Sequence, residues 1–336
     1  MIRNYSFKSS TELIEALMGT EDLKNIIRQC YQDLLDREPD ELGLNYYLKL
    51  FNQNKINSKP QLIELIKNSP EYLGKNTSIE SKITFSKKED YSKNLRIIAM
   101  YRIKNESRWI KQSLESISEI CKEIIILDDG STDDTVKICE NFPQVVDIHS
   151  QKDLPFDETR DKNILLKMAL SRDPDFILTL DGDEMIMPNS KQHLFYELNV
   201  LYPNVNLFEL KELYVWDKPN QYRCDGVFNN TWSKKLFRLK DQPENLQFGG
   251  TDFPGNAHCA AVPNNLVGIN QSVRSKVKIL HYGYYDEKLR RKKYDFYSEL
   301  DPNNVDFDGY KHIFSGHSKF SGSNGMEFKL ISETES

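Results

Sequence analysis

Two short apolar runs constrain this chain more than any other feature. Residues 123–127 (EIIIL) end in Asp128-Asp129-Gly130-Ser131, and residues 176–180 (FILTL) end in Asp181-Gly182-Asp183-Glu184. Runs this short and this uniformly apolar are what strands buried on both faces require. Two further runs share the character, residues 95–100 (LRIIAM) and 145–149. Helical patterns lie between them: one through Trp109, Ile110, Leu114 and Ile117, then residues 135–141 and 161–170. Strands alternating with helices predict an α/β fold, a mostly parallel sheet flanked by helices. Such sheets bind ligands beyond the carboxyl ends of their strands, where both acidic clusters fall.

The first part of the chain has a different rhythm. Leu23, Ile26, Ile27, Cys30, Tyr31, Leu34 and Leu35 recur at helical spacing. Residues 37–40 (REPD) interrupt the pattern, and Leu42, Leu44, Tyr46, Tyr47 and Leu48 begin a second helix. Leu62, Ile63, Leu65 and Ile66 make a third, stopped at Ser69-Pro70. Residues 1–75 therefore read as a small all-α domain. Residues 76–93, polar and lysine-rich, read as a linker, and residues 94–336 form the larger domain. Two domains suit a chain of 336 residues. The run LLDREPDELGLNYYLKL…LIELIKNSPEYLG resembles a small bacterial helical domain of unknown function, which implies no chemistry.

A net charge of −6 argues against a nucleic-acid binder, which would carry a basic surplus. The five cysteines, Cys30, Cys121, Cys139, Cys224 and Cys259, are widely spaced and form no CxxC pair. That pattern fits a reducing compartment, and neither a disulfide framework nor a zinc site. No window approaches 18 apolar residues, and the N-terminus has no leader-like stretch. The expectation is a cytoplasmic protein without a transmembrane segment, with peripheral membrane contact left open.

A strand ending in Asp-Gly-Asp sets two carboxylates on the turn that leaves the sheet. Mg²⁺ and Mn²⁺ take one or two such oxygens and fill their remaining positions with substrate phosphates. A nucleotide diphosphate is the natural partner of such a site, the cation offsetting charge on the departing diphosphate. The competing reading of each cluster is a solvated Asp-Gly turn, with Thr132 or Asp133 capping the next helix.

The blocks RIIAMYRIKNESRWIKQSLESI, EIIILDDGSTDDTVKI, ETRDKNILLKMA and DFILTLDGDE, in this order and spacing, resemble the nucleotide-binding half of family 2 glycosyltransferases of the GT-A fold. The resemblance is strong over residues 95–190 and looser to about residue 302. It divides the larger domain into a nucleotide-binding half (94–190), an acceptor half (191–300) and a tail (301–336). It implies a metal-dependent, inverting transferase using a UDP or dTDP sugar. It sets Tyr101, Arg102 and Glu106 in the first loop, at the nucleobase, and Asp129, with Asp128 beside it, on the base or ribose. Arg160 falls near a phosphate, Asp181 and Gly182 at the ribose and metal, and Asp183 as the main ligand of Mn²⁺ or Mg²⁺. The residue types agree: carboxylates accept from base N–H and ribose hydroxyls, and an arginine fork suits phosphate. For Arg160 an ion pair with Glu158 or Asp157 is the alternative.

Residues 207–239 read as antiparallel strands, LFELKELYVW, YRCDGVF and WSKKLFRL. Displacement at an anomeric carbon needs a base for the acceptor hydroxyl. Asp225 is the favoured candidate, with Glu209, Glu212, Asp217 and Asp252 behind it. Trp216, Tyr222 and Trp232 are candidates to stack on sugar rings or to fill the core. His258 is placed near the acceptor, and His281, ending the strand KILHYG, is the late histidine of the metal site. The helix over residues 284–300 carries a basic patch, Lys288, Arg290, Arg291, Lys292 and Lys293, read as a solvated face or as an attraction for a diphosphate or an anionic lipid-linked acceptor. The acceptor is expected to be a glycan, a lipid-linked glycan or a protein. No GxGxxG or GxxxxGK[ST] occurs, and YRIKNESRW lacks the glycines of a nucleotidyltransferase phosphate loop. A nucleotidyltransferase-like enzyme and an inactive glycan-assembly scaffold are the competing readings.

Overall fold

A computed structural model describes residues 20–52, 56, 58–67, 95–250, 259–300, 310–314 and 326–331. Residues 69–93, Asp252, His258 and most of the tail lie outside the described residues. The chain divides into two compact units, Met1–Ser86 and Lys87–Ser336.

In the first unit, helices α1 (Thr20–Leu35), α2 (Glu41–Asn52) and α3 (Lys59–Lys67) enclose their own core. Ile27, Cys30, Tyr31, Tyr47, Leu62 and Ile66 meet there, with Tyr31 and Tyr47 edge to face at 5.9 Å. The REPD break becomes a cap, in which the Gly43 N–H donates to Asp40 Oδ1 at 2.7 Å.

The second unit is built on a ten-stranded sheet. Strands β1 (Ile97–Ile103), β2 (Glu123–Asp128), β3 (Val145–Ser150) and β4 (Phe176–Asp181) are mutually parallel, in the order β4-β1-β2-β3. Helices α4 (Ile110–Ile117), α5 (Thr135–Glu140) and α6 (Glu158–Leu170) make the crossovers. After β4 come β5 (Glu184–Ile186), α7 (Ser190–Tyr196, prolonged by a π turn), then β6 (Leu207–Trp216), β7 (Lys218–Arg223) and β8 (Trp232–Arg238). The chain continues through β9 (Ser272–His281), α8 (Glu287–Leu300) and β10 (Phe328–Leu330). Strand β8 joins the parallel half by pairing antiparallel with β4, and β6 carries β8, β7 and β9. This is the mixed α/β architecture, a largely parallel half-sheet flanked by helices, that the sequence leads one to expect.

Alternation along β1 assigns its two faces. Ile98 and Met100 pack with Ile125, Leu127 and Ile177 against Leu165, Leu166 and Ala169 of α6. Tyr101 points the other way, fully buried, and shares a hydrogen bond with Ser113 of α4 at 3.0 Å. Each such side chain taken wholly out of water contributes about 1.5–3 kcal/mol, which fixes the register of the strands. Register then aligns the strand ends: Arg102 lies opposite Asp181, and Ile103 opposite Asp128.

Candidate active site at the strand ends

The first loop and the loop after β2 are laced together by backbone donors. Asn105, with φ 56°, donates its N–H to Ser131 Oγ at 2.8 Å and accepts from Thr132 N at 2.7 Å through its side chain. Glu106 N–H reaches Thr135 Oγ1, and Ser107 N–H reaches Asp133 Oδ2. Asp134, not Thr132 or Asp133, stands at the N-cap of α5, and Asp133 closes the turn instead. Asp128 is committed to the same loop, accepting from Ser131 N at 3.1 Å.

Asp129 opens a polar network at the ends of β1, β2 and β3. Arg102 donates to Asp129 Oδ2 and to Asp161 Oδ2, both at 2.8 Å, and lies over the Phe156 ring. Gln151 bridges the other oxygens of Asp129 and Asp161, each at 3.0 Å. Arg160 pairs with Asp161 rather than with Glu158 or Asp157, while its backbone N–H is capped by Asp157. Two arginines thus meet two carboxylates, and the fully buried Asp161 accepts from three side chains. Asp161 and Gln151 escaped the sequence reading. The Arg-Asp adjacency in ETRDKN was the available signal for the first, and nothing local marks the second. Between the ends of β1 and β4 opens a cleft lined by Arg102, Glu158, Lys162, Thr179, Asp181 and Lys235.

The Asp-Gly-Asp turn leads into a second cluster. Strand β5 pairs with the end of β9, Glu184 opposite His281, and Tyr282 N–H donates to the Asp183 carbonyl at 2.8 Å. The late histidine is thereby laddered to the acidic turn. Around Gly283 the Nζ of Lys293, Oδ2 of Asp183 and Cε1 of His281 all lie within 2.6 Å of where a Cβ would stand. Lys293 Nζ is 3.5 Å from Asp183 Oδ2. Gly182 is walled in the same way by the Glu106 side chain, whose Cγ lies 2.6 Å from the corresponding point. Glu106 therefore sits against the Asp-Gly-Asp turn.

Burial opposes ionisation of Asp183, yet Lys293, then His281 and Lys235, hold it below the usual carboxylate range. Glu106 goes the other way, raised to about 8 by burial and by the Asp183 charge. Burial pushes His281 down, against the pull of Asp183, and its Nδ1 accepts from Gly283 N–H at 3.1 Å. Behind the cluster, Lys235 donates to both oxygens of Glu184 at 2.7 Å and faces Glu212 at 3.8 Å. Glu184 is raised to about 8 by burial, in spite of Lys235. Burial also opposes ionisation of Glu212, but Lys235 and His281 keep it below its ordinary value. Glu184, Lys235 and Lys293 had no assigned role in the sequence reading. Lys293 was only one of a basic patch.

Several sequence expectations need correction. Tyr101 is core, its ring fully buried and its hydroxyl on Ser113, so it does not face a nucleobase. Trp216 is 1% exposed, stacked on Tyr284 and held between Arg223 and Arg290, which leaves no ring face for a sugar. Asp225 lies beyond β7, which ends at Arg223, at the start of a 3-10 turn over Gly226–Phe228. Both its oxygens accept from the Arg223 guanidinium at 2.7 Å, and one also accepts Glu327 N–H. Although burial works against it, that clamp holds Asp225 below the usual range, where it is a poor base. Trp232 remains half-buried on β8, under the Arg274 guanidinium. Among the other base candidates, Glu209 is bonded to Ser272, and Asp217 is tied to Arg290 at 2.9 Å. Glu212 accepts from Tyr214 at 2.5 Å and interacts with Lys235 and His281. Asp181 is exposed at the cleft. Among the described residues, no three His, Cys, Asp or Glu side chains form a ready metal site, and no helix is long and apolar enough to cross a membrane.

The acidic and basic lining lies at the parallel strand ends, where α/β sheets of this kind bind their ligands. Residues 102–250, within the second unit, match the model of glycosyl transferase family 2. Two uncharacterised proteins, of Mycobacterium bovis and Mycobacterium tuberculosis, are each 33% identical to the chain over 98 residues, covering 27% of it. The chain spans about a quarter of the length of these curated relatives, 24%. Among solved structures, TarS of S. aureus matches 68% of this chain and 45% of its own, with 17% identity and a TM-score of 0.40. Glucosyl-3-phosphoglycerate synthase from Mycobacterium tuberculosis, solved with Mn²⁺, UDP and glucosyl-3-phosphoglycerate, matches 37% of this chain and 46% of its own, with 23% identity and a TM-score of 0.27.

Proposed function

We propose that the protein is an inverting glycosyltransferase that takes a sugar from a UDP or dTDP donor, with Mn²⁺ or Mg²⁺, and passes it to a glycan, lipid-linked or protein acceptor. The observation that carries this reading is the convergence of Asp183 and His281 on Gly283, beside the Arg102–Asp129–Gln151–Asp161 network. The family 2 domain matched over residues 102–250 supports it independently. On this reading Asp129 and Gln151 hold the base or ribose. Arg102 orients Asp129, and Asp181 borders the ribose and the cation.

The donor set fits a hard divalent cation. Such ions are held by one or two carboxylates and complete their shell with substrate phosphates, so a site of few protein ligands is what a diphosphate-dependent cation would use. Asp183, ionised and facing the turn, is the principal ligand of this scheme, with Asp181 beside it. His281 can join through Nε2 only if its proton moves to Nδ1, which ends the bond from Gly283. When bound, the cation would supply Lewis-acid stabilisation of the leaving diphosphate. The base for the acceptor hydroxyl is then a carboxylate other than Asp225, whose two oxygens Arg223 occupies.

The test is a panel of nucleotide sugars with Mn²⁺, scored for release of nucleoside diphosphate. Release from a UDP or dTDP sugar is expected, and Asp183→Ala should abolish it while the chain stays folded. Undiminished release by that variant overturns the reading.

A further inference from the structure

Lys293 reaches the site from α8, about 110 residues beyond the turn it contacts, and its position is built. The anchor is Arg290, one turn earlier on the same helix face. Arg290 donates to the Tyr284 and Tyr285 carbonyls at 3.0 and 3.2 Å and to Asp217 at 2.9 Å, and lies over Trp216 at 4.6 Å. With the start of α8 pinned in this way, Lys293 is directed inward rather than to solvent, unlike Lys292, which is exposed. Its ammonium lies over the Tyr284 ring at 4.9 Å and 3.5 Å from Asp183. The missing side chain at Gly283 is what leaves it room. Asp183 is its one carboxylate contact among the described residues, and at 3.5 Å that contact is long for a charge-assisted hydrogen bond.

An ammonium brought this far to an acidic turn, and bonded to it only loosely, has donors to spare. From this placement, and resting on the donor reading above, we infer that Lys293 contacts the diphosphate of the bound donor and carries part of the charge that develops on it as the sugar leaves. Arg290 is the positioning residue that holds Lys293 there. The departing diphosphate gains negative charge as its bond to the anomeric carbon breaks, and the ammonium at Asp183 would share the offsetting of that charge with a divalent cation held by the same carboxylate. A lysine suits this role as a compact point charge with rotatable donors, able to follow the phosphate as the bond lengthens.

The experiment uses the full chain and measures binding of UDP and dTDP, each against its monophosphate, by calorimetry with Mn²⁺ present. Lys293→Met is expected to weaken the diphosphate by about tenfold to a hundredfold, the size of a hydrogen bond to a charged group. Monophosphate affinity should be unchanged, and Lys293→Arg should restore most of the diphosphate affinity. Equal diphosphate binding by wild type and Lys293→Met overturns the inference and leaves the glycosyltransferase reading standing. Parallel loss of mono- and diphosphate in both variants also overturns it, since that marks a structural lysine. Wild type that binds no nucleotide overturns both readings.

Discussion

At the scale of single residues, the molecule separates carboxylates that hold structure from carboxylates left exposed or loosely bound. Asp225 and Asp183 look alike in sequence, each beside a glycine, but Asp225 is saturated by the buried Arg223, and among the described residues the Asp183 carboxylate has one ion pair, a long one to Lys293. Asp225→Asn should therefore destabilise the fold by about 3 kcal/mol, the cost of leaving a buried charge without its partner. Urea unfolding of the variant checks this. Unchanged stability with lost turnover would return Asp225 to the chemistry. Glu197 shows the opposite imbalance. Burial raises it to about 7, although Ser275 Oγ–H and Lys276 N–H both donate to it. Its folded pKa lies above the unfolded value of 4.5, so the stability it contributes is full below pH 4.5 and is lost as pH rises to about 7. Glu197→Gln, which keeps an acceptor for Lys276 N–H, should flatten that part of the stability–pH curve. Melting temperatures of wild type and variant from pH 4.5 to 7.5 check it: Glu106 and Glu184 keep some slope in both, and a variant slope as steep as that of wild type goes against expectation.

At the scale of elements, what could be read in advance follows from who a residue's partners are. Buried parallel strands have to be apolar throughout, so β1, β2 and β4 and the acidic tips of β2 and β4 stood out in the one-dimensional pattern. Strand β7 did not: YRCDGVF reads as one strand, yet it stops at Arg223 because residues 226–228 turn to bring Asp225 onto Arg223. Helix α8 shows the same limit. Its basic residues read as a solvated face, and only the long-range anchor of Arg290 on Asp217 and the Tyr284 carbonyl turns Lys293 inward. Trp216 and Tyr101 misled for a related reason: an aromatic beside a site motif looks functional until the opposite face of its strand is known. The β9–α8 junction is where these elements meet the acidic turn, and Gly283 is its narrowest point. Gly283→Ala puts a methyl group among Asp183, His281 and Lys293. The lysine tip can move aside at little cost, whereas the carboxylate and the imidazole are held by the β5–β9 ladder. The expected result is a loss of nucleotide-diphosphate binding of about tenfold or more with little change in melting temperature, since the strain falls on the site and not on the core. Calorimetry with UDP beside a thermal melt decides it, and unaltered binding would show that the three groups do not act together.

At the scale of the whole molecule, the chain keeps its chemistry in one of its two units. Every side chain argued above to hold donor, cation or diphosphate lies between Arg102 and Lys293, inside the unit Lys87–Ser336. The unit Met1–Ser86 closes its own core, with Ile27, Cys30, Leu62 and Ile66 buried among α1, α2 and α3. A segment with a separate core contributes little to the stability of its neighbour unless their interface is large and apolar. Removing residues 1–86 should therefore leave UDP affinity unchanged within about twofold and leave the second unit's urea midpoint in place. The acceptor side need not follow. Activity toward a macromolecular acceptor falling while UDP binding and hydrolysis of the donor stay constant would assign the helical unit to acceptor capture. A tenfold fall in UDP affinity on truncation would instead mean that the first unit completes the donor site, and the division of labour argued here would be wrong.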